Sequence, residues 1–218
     1  HYDGTLVATR HRFDALTPEV KGQLSRLLGA GVTLAIATGR GASVRHDLQA
    51  ALPKSLWENV LIGYYNGAEI AGLGEVNAPD GKDQPCAELA TLALALRGQP
   101  ELAGAATQSN RKYQITLEAG PGLSESRLWD LAHEVLLRQG MRDVIVTRSS
   151  HSIDIVPAHV SKANVLSAIR GQIDDGAVLA MGDRGRWPGN DYALLREPFA
   201  LSVDEISVDP STCWNLGQ

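Results

Sequence analysis

Five polar positions in this chain stand where apolar runs end or helices begin, and their types suit them to hold an anion beside a cation. Asp3 lies in the opening run His1-Tyr2-Asp3-Gly4-Thr5-Leu6, and Thr38 follows an apolar run that closes at Ala37. Lys162 stands at a helix start. Asp183 follows an apolar run ending at Met181, with Asp191 eight residues on. Ligands of open parallel sheets bind outside the carboxyl ends of the strands. Two carboxylates about 4 Å apart repel by roughly 4 kcal/mol at an effective dielectric of 20, so Asp183 and Asp191 would call for a cation if the fold brought them that close. An ammonium, a hydroxyl and backbone N–H groups at helix starts are groups that hold an oxyanion. Taken singly, each position has an ordinary explanation: a turn at Asp3-Gly4, a helix entry at Thr38-Gly39, a solvated lysine, a loop at Gly182-Asp183. Their occurrence together, in this order, argues for a site.

The elements that must position these groups follow from local patterns. Thr17-Pro18-Glu19 reads as an N-cap, a first-turn proline and an acidic first turn, with Val20, Leu24, Leu27 and Leu28 following at helical spacing. Val32 to Ala37 is a continuous apolar run, expected to be a strand buried on both faces. A helix is expected from Ser43 to Leu52, and a strand from Val60 to Tyr65 that ends at the turn signal Asn66-Gly67. After position 157 the same texture returns. Ser161 is expected to cap a helix through Arg170 with Val165, Leu166 and Ile169 inward. Strands are expected over Ala177 to Met181 and Phe199 to Val203.

The middle of the chain differs. Residues 71 to 85 are rich in Gly, Asp and Pro and suit a linker. A helix over Ala87 to Arg97, a strand over Tyr113 to Leu117 with another before it, and a helix capped by Ser124 come next. Val144 to Thr147 and Ser152 to Val156 then suit a hairpin. Helix, strand, strand, helix, strand, strand is the order of a small α+β layer inserted into an α/β core.

Asp3-Gly4-Thr5, Thr38, Lys162 and Gly182-Asp183 with Asn190-Asp191 together resemble the four motifs of the haloacid dehalogenase (HAD) superfamily. The insert resembles the C2B cap of its Cof-type, sucrose-phosphatase-like and phosphomannomutase branch. Ala37-Thr38-Gly39-Arg40 and Ser161-Lys162 are similar to that branch, and the long loop from Gly182 to Asp191 is similar to the extended fourth motif of phosphomannomutases. The resemblance implies an α/β fold: a doubly wound parallel-sheet core over residues 1–74 and 159–218, with a C2B-type α+β cap over 75–158. It further implies Mg²⁺-dependent hydrolysis of a small phosphorylated metabolite, such as a sugar phosphate. Under it, Lys162 neutralises a phosphate oxygen and holds the nucleophile, and Thr38 binds a second oxygen. Asp183, Asp191 and Asp3 hold Mg²⁺, and Asp3 serves as general acid and then base. Gly39, Arg40, Asn66 and Asn190 are the candidates to face substrate, with a solvated or ion-paired arginine the ordinary alternative for Arg40 and a turn role the alternative for Asn66.

His1 stands where the family carries the attacking aspartate, which also binds the metal. Neutral imidazole is a poor Mg²⁺ ligand and imidazolium repels the ion. Three readings stay open: a natural loss of the nucleophile that leaves a catalytically inactive binding or regulatory domain, an altered residue at the edge of a truncated chain, or a histidine nucleophile that forms phosphohistidine. The first core strand of the family precedes this motif, so upstream residues are expected in the full protein.

Composition narrows the partners. Of 218 residues, 44% are hydrophobic and 21% charged, as in ordinary globular proteins, and no apolar run approaches the roughly 20 residues of a membrane span. A net charge of −5 argues against nucleic acid as the main partner. Cys86 and Cys213 are expected to be reduced thiols of a cytoplasmic protein. The expected partner is a small phosphorylated substrate, with no nucleic acid or membrane, and with room for further domains in a longer chain. Trp187, in the loop before Asp191, and Arg184 and Arg186 beside it, are additional candidates for substrate contact.

Overall fold

The structure is a computed structural model that describes residues 1–76, 78–79, 84–149, 151–173, 176–207 and 214–215. Cys213 and part of the expected linker lie outside the described residues. In chain order the elements are α1 (Pro18–Gly29), β1 (Leu34–Ala37), α2 (Ala42–Ala51), β2 (Val60–Tyr64), β3 (Glu69–Gly72), α3 (Ala87–Arg97), β4 (Ala106–Arg111) and β5 (Gln114–Ala119). There follow α4 (Glu125–Arg138), β6 (Val144–Arg148), β7 (Ile153–Pro157), α5 (Ala163–Arg170), β8 (Ala180–Arg184), β9 (Ala200–Glu205) and β10 (Trp214–Asn215). The chain divides into two compact units, His1–Asp80 with Ser161–Gln218, and Gly81–Val160. The insert thus spans 81–160, against the expected 75–158.

In the first unit the strands form two three-stranded sheets, β1-β2-β3 and β10-β9-β8. β1 and β2 run parallel, as do β8, β9 and β10, while β3 returns antiparallel to β2. Helices flank the first sheet on both sides. Val165 of α5 packs directly over Gly63, while Ile36 and Ile62 join the core that holds Leu24, Leu28, Val44 and Leu48 of α1 and α2. Thr17 caps α1 by accepting from the Val20 amide at 3.3 Å.

Several boundaries and burials differ from the sequence expectation. Leu27 is 49% exposed, because α1 buries a narrower stripe than its four apolar positions suggest. Val32 also faces solvent, since pairing with β2 begins only at Leu34. β3 enters the stretch assigned to the linker: its short, Gly-containing sequence carries little strand signal, and the Asn66-Gly67 turn folds it back on β2. β8 begins three residues late and carries Gly182 and Asp183 within the strand, because its ladder to β9 starts at the Ala180–Ala200 pair. Lys162 rather than Ser161 occupies the N-cap position of α5, although the Ser161 Oγ accepts from the Ala163 amide at 3.2 Å.

The second unit has the element order α3, β4, β5, α4, β6, β7. Its four strands form one antiparallel sheet in the order β4-β5-β7-β6. Ile115, Leu117, Ile153 and Ile155 alternate inward against Leu89, Leu92 and Leu96 of α3 and Leu128, Leu131 and Val135 of α4. Ser124 caps α4 by accepting from the Arg127 amide.

Candidate active site

Four separate stretches of the first unit meet through a closed circuit of contacts. The N-terminal run supplies Asp3. Gly4, at φ +81°, lets the backbone turn directly against the Asp183 carboxylate, where a Cβ would collide with it. Asp3 is held by Arg40, which follows β1: Nε donates to Asp3 Oδ2 at 2.9 Å and Nη2 to Oδ1. The same guanidinium reaches the Arg12 carbonyl and Asp47 of α2, and stacks over the Tyr2 and Phe13 rings. Arg40 closes back on Thr38, its amide donating to the Thr38 hydroxyl at 3.0 Å.

Thr38 is fully buried, and its carbonyl accepts from the Asn66 amide at 2.8 Å. Tyr65, Asn66 and Gly67 all have positive φ, which produces the tight turn after β2. The backbone of Gly67 lies against Ser161 and the Lys162 Cα, too close for any Cβ, and Asn164 fastens it by donating to its carbonyl at 3.2 Å. Lys162 then reaches Asp191: Nζ donates to Oδ1 at 2.7 Å, with both side chains fully buried. A buried pair of this kind persists only when its remaining sites are satisfied. The second Asp191 oxygen accepts from the amides of Asp183 and Arg184, at 3.0 and 3.2 Å, which returns the circuit to β8.

His1 completes the cluster. Its backbone nitrogen donates to the Met181 carbonyl on β8, and its Nδ1 lies 2.7 Å from Asp183 Oδ1 and 2.9 Å from Asp191 Oδ2. Burial opposes charge on the imidazole, and Lys162 does so too. The Asp191 charge and the hydrogen bonds to both carboxylates outweigh them and hold the His1 pKa above its ordinary value. Burial would likewise push the Asp191 pKa up, but the charges of His1 and Lys162 hold it well below the usual carboxylate range.

The sequence matches no protein-family model and no curated protein. Solved structures match along most of its length. The C-terminal domain of a trehalose-6-phosphate phosphatase from C. albicans aligns over 100% of this chain and 85% of its own, with a TM-score of 0.70 at 15% identity. A sucrose-phosphatase from Synechocystis aligns over 90% and 84%, with a TM-score of 0.63 at 19% identity. A sugar phosphatase of HAD subclass IIB aligns over 94% and 86%, with a TM-score of 0.63 at 18% identity. The chain has the HAD-like fold.

Within this HAD-like core, the expected residues sort into three groups. Lys162, Asp183 and Asp191 are joined by direct contacts, Thr38 is linked to them through the Asn66-Gly67 turn, and His1 joins the carboxylates. Asp3 is on the circuit but not in the cation cluster: the donors that come together are His1, Asp183 and Asp191, within 4.8 Å of one another. Asp3 was expected among the metal ligands and is instead bound by Arg40, whose guanidinium matches a carboxylate bidentately. Of the two roles open to Arg40, substrate contact or an ion pair, the structure has the ion pair: Arg40 is engaged by Asp3, Asp47 and the Arg12 carbonyl. Gly39 is half-buried between Thr38 and Arg40. Asn66 serves the turn through its backbone. Asn190 is 9% exposed, and its Oδ1 has no hydrogen-bond partner among the described residues. Arg184 pairs with Glu205, Arg186 is exposed, and Trp187 is 64% exposed with its ring edge against Tyr192.

An all-oxygen Mg²⁺ site does not fit these residues. Mg²⁺ favours oxygen ligands in octahedral array. Here the Asp3 carboxylate is turned to Arg40, and the third donor beside Asp183 and Asp191 is an imidazole nitrogen. The sequence reading missed Asp47, which accepts from both Tyr2 and Arg40. Nothing in a helix segment of mixed polarity marks that aspartate, whose partners come from outside the helix.

Proposed function

We propose that this protein is a HAD-type phosphohydrolase acting on a small phosphorylated metabolite, with a sugar phosphate as the favoured substrate class and His1 in the nucleophile's place. The observation that carries this reading is the fully buried Lys162–Asp191 pair beside Asp183, linked through the Asn66-Gly67 turn to the buried Thr38. Phosphoryl transfer needs little covalent chemistry from the protein beyond positioning and charge stabilisation. The Lys162 ammonium spends one N–H on Asp191 and keeps others for a phosphate oxygen. The Thr38 hydroxyl accepts from Arg40 and keeps its own hydrogen for a second oxygen. Asp3, fixed by the Arg40 fork, is the group to exchange a proton with the leaving oxygen. The sugar phosphatases among structures of the same fold support the substrate class. The Mg²⁺ dependence that the resemblance implies is not carried over, because its oxygen set does not form.

The test is phosphate release from p-nitrophenyl phosphate and a panel of sugar phosphates, with and without added divalent cations, by the wild type and the Lys162→Ala variant. Turnover by the wild type that falls at least about 10²-fold in the variant supports the reading, as for loss of an electrostatic stabiliser. A second reading, an inactive HAD-like binding domain, is favoured by one observation: the His1 Nδ1 is held by two carboxylates. Absence of turnover together with saturable binding of a sugar phosphate selects that reading.

A further inference from the structure

We propose that His1, Asp183 and Asp191 form a site for a divalent transition-metal cation that favours imidazole nitrogen, Zn²⁺ as the type case, rather than for Mg²⁺. The inference rests on the proposed function only in taking this cluster as the cation position of that site. Its grounds are the donors themselves. One imidazole nitrogen and two carboxylates lie within 4.8 Å of one another, and the three side chains are 6%, 5% and 0% exposed. Ligand atoms about 2.0–2.1 Å from a shared ion lie about 2.9–3.4 Å apart, across octahedral and tetrahedral arrangements. His1 Nδ1 stands 2.7 Å and 2.9 Å from its two carboxylate oxygens, so the donors need to spread by only a few tenths of an ångström. On binding, the Nδ1 lone pair passes to the cation and any proton held there leaves to solvent.

The donor chemistry selects the ion. Imidazole suits Zn²⁺ and its neighbours in the first transition row, whereas Mg²⁺ keeps to oxygen. The surrounding groups hold the ligands in place. Lys162 and the amides of Asp183 and Arg184 orient the Asp191 carboxylate, and the close approach of Gly4 fixes that of Asp183. Losing partners of this kind typically costs about 10–100-fold in metal affinity. Lys162 also offsets one of the two carboxylate charges, which leaves room for a cation without an excess of negative charge.

The experiment measures metal binding, not turnover. Protein stripped with a chelator is titrated calorimetrically with Zn²⁺ and with Mg²⁺, and Co²⁺ is added as a spectroscopic probe whose visible absorption reports nitrogen and oxygen coordination. Circular dichroism confirms that each variant is folded. The wild type is expected to bind one Zn²⁺ at least about 100-fold more tightly than Mg²⁺. His1→Asp is expected to lose at least about tenfold in Zn²⁺ affinity and to gain in Mg²⁺ affinity, and Asp183→Asn to lose binding of both. Mg²⁺ binding as tight as Zn²⁺ in the wild type overturns the proposal, and so does Zn²⁺ affinity untouched by His1→Asp. Failure of the wild type to bind either ion also overturns it, and identifies His1 as the standing occupant of the cation position. Zn²⁺ binding without phosphate release leaves this site intact and removes the phosphohydrolase reading instead.

Discussion

The Arg40 guanidinium takes both oxygens of Asp3 and holds Asp47 and the Arg12 carbonyl with its remaining N–H groups. One side chain thus ties the N-terminal run to the entry of α2 and sets the orientation of the carboxylate assigned the proton-transfer role.

Arg40→Lys keeps the charge but removes the fork. Charge-assisted hydrogen bonds in part-buried positions contribute about 1.5–3 kcal/mol. The variant is expected to lose about 2 kcal/mol of unfolding free energy in urea titration. Where turnover is present, kcat is expected to fall about tenfold or more with KM little changed, because the loss falls on Asp3 and not on a substrate contact.

Lys162→Met leaves the Asp191 carboxylate buried with its cationic partner gone. Breaking a buried pair from one side costs about 3–5 kcal/mol. The double variant Lys162→Met with Asp191→Asn is expected to recover part of that loss, and a double-mutant cycle by chemical denaturation measures the coupling. A double variant no more stable than Lys162→Met shows that Asp191 is not the cause.

Gly4→Ala places a Cβ at φ +81° and into the Asp183 carboxylate. The left-handed backbone alone costs about 1–2 kcal/mol for a non-glycine residue. The expected result is a loss of about 2 kcal/mol or more, together with weakened cation binding, because Asp183 has to move. Unchanged metal affinity in this variant would mean that Asp183 is not a ligand.

Tyr64 is fully buried in β2, and its hydroxyl has no hydrogen-bond partner among the described residues. Burial first, with the Glu75 charge adding to it and Arg45 opposing, pushes its pKa up to about 12. A raised pKa in the folded state means stability that is complete below about pH 10 and is lost as pH climbs from there through about 12. Tyr64→Phe is expected to match or exceed the wild type by about 1 kcal/mol at neutral pH, since it removes an unsatisfied buried hydroxyl. It is also expected to remove the Tyr64 contribution to alkaline destabilisation, read from melting temperatures between pH 9 and about 12.

The parts of this protein legible in the sequence are those whose causes are local. The Thr17 and Ser124 caps are satisfied within three residues, so type and spacing alone identify them. The alternation of β5 and β7 against α3 and α4, and the apolar run of β2, record burial residue by residue. Placing Thr38, Lys162, Asp183 and Asp191 at strand ends and helix starts was likewise enough to nominate them. Tertiary structure alone decided what each charge touches. Asp3 and Arg40 are 37 positions apart, and His1 and Asp183 are 182 apart. No periodicity spans such distances. Whether Asp3 faces a cation or a guanidinium depends on which charge the fold brings within about 3 Å, where the Coulomb term is large, and that is set by how β1, β8 and the N-terminal run pack together. The same holds for β3: its four residues carry little strand signal of their own, and only the ladder to β2 makes them a strand.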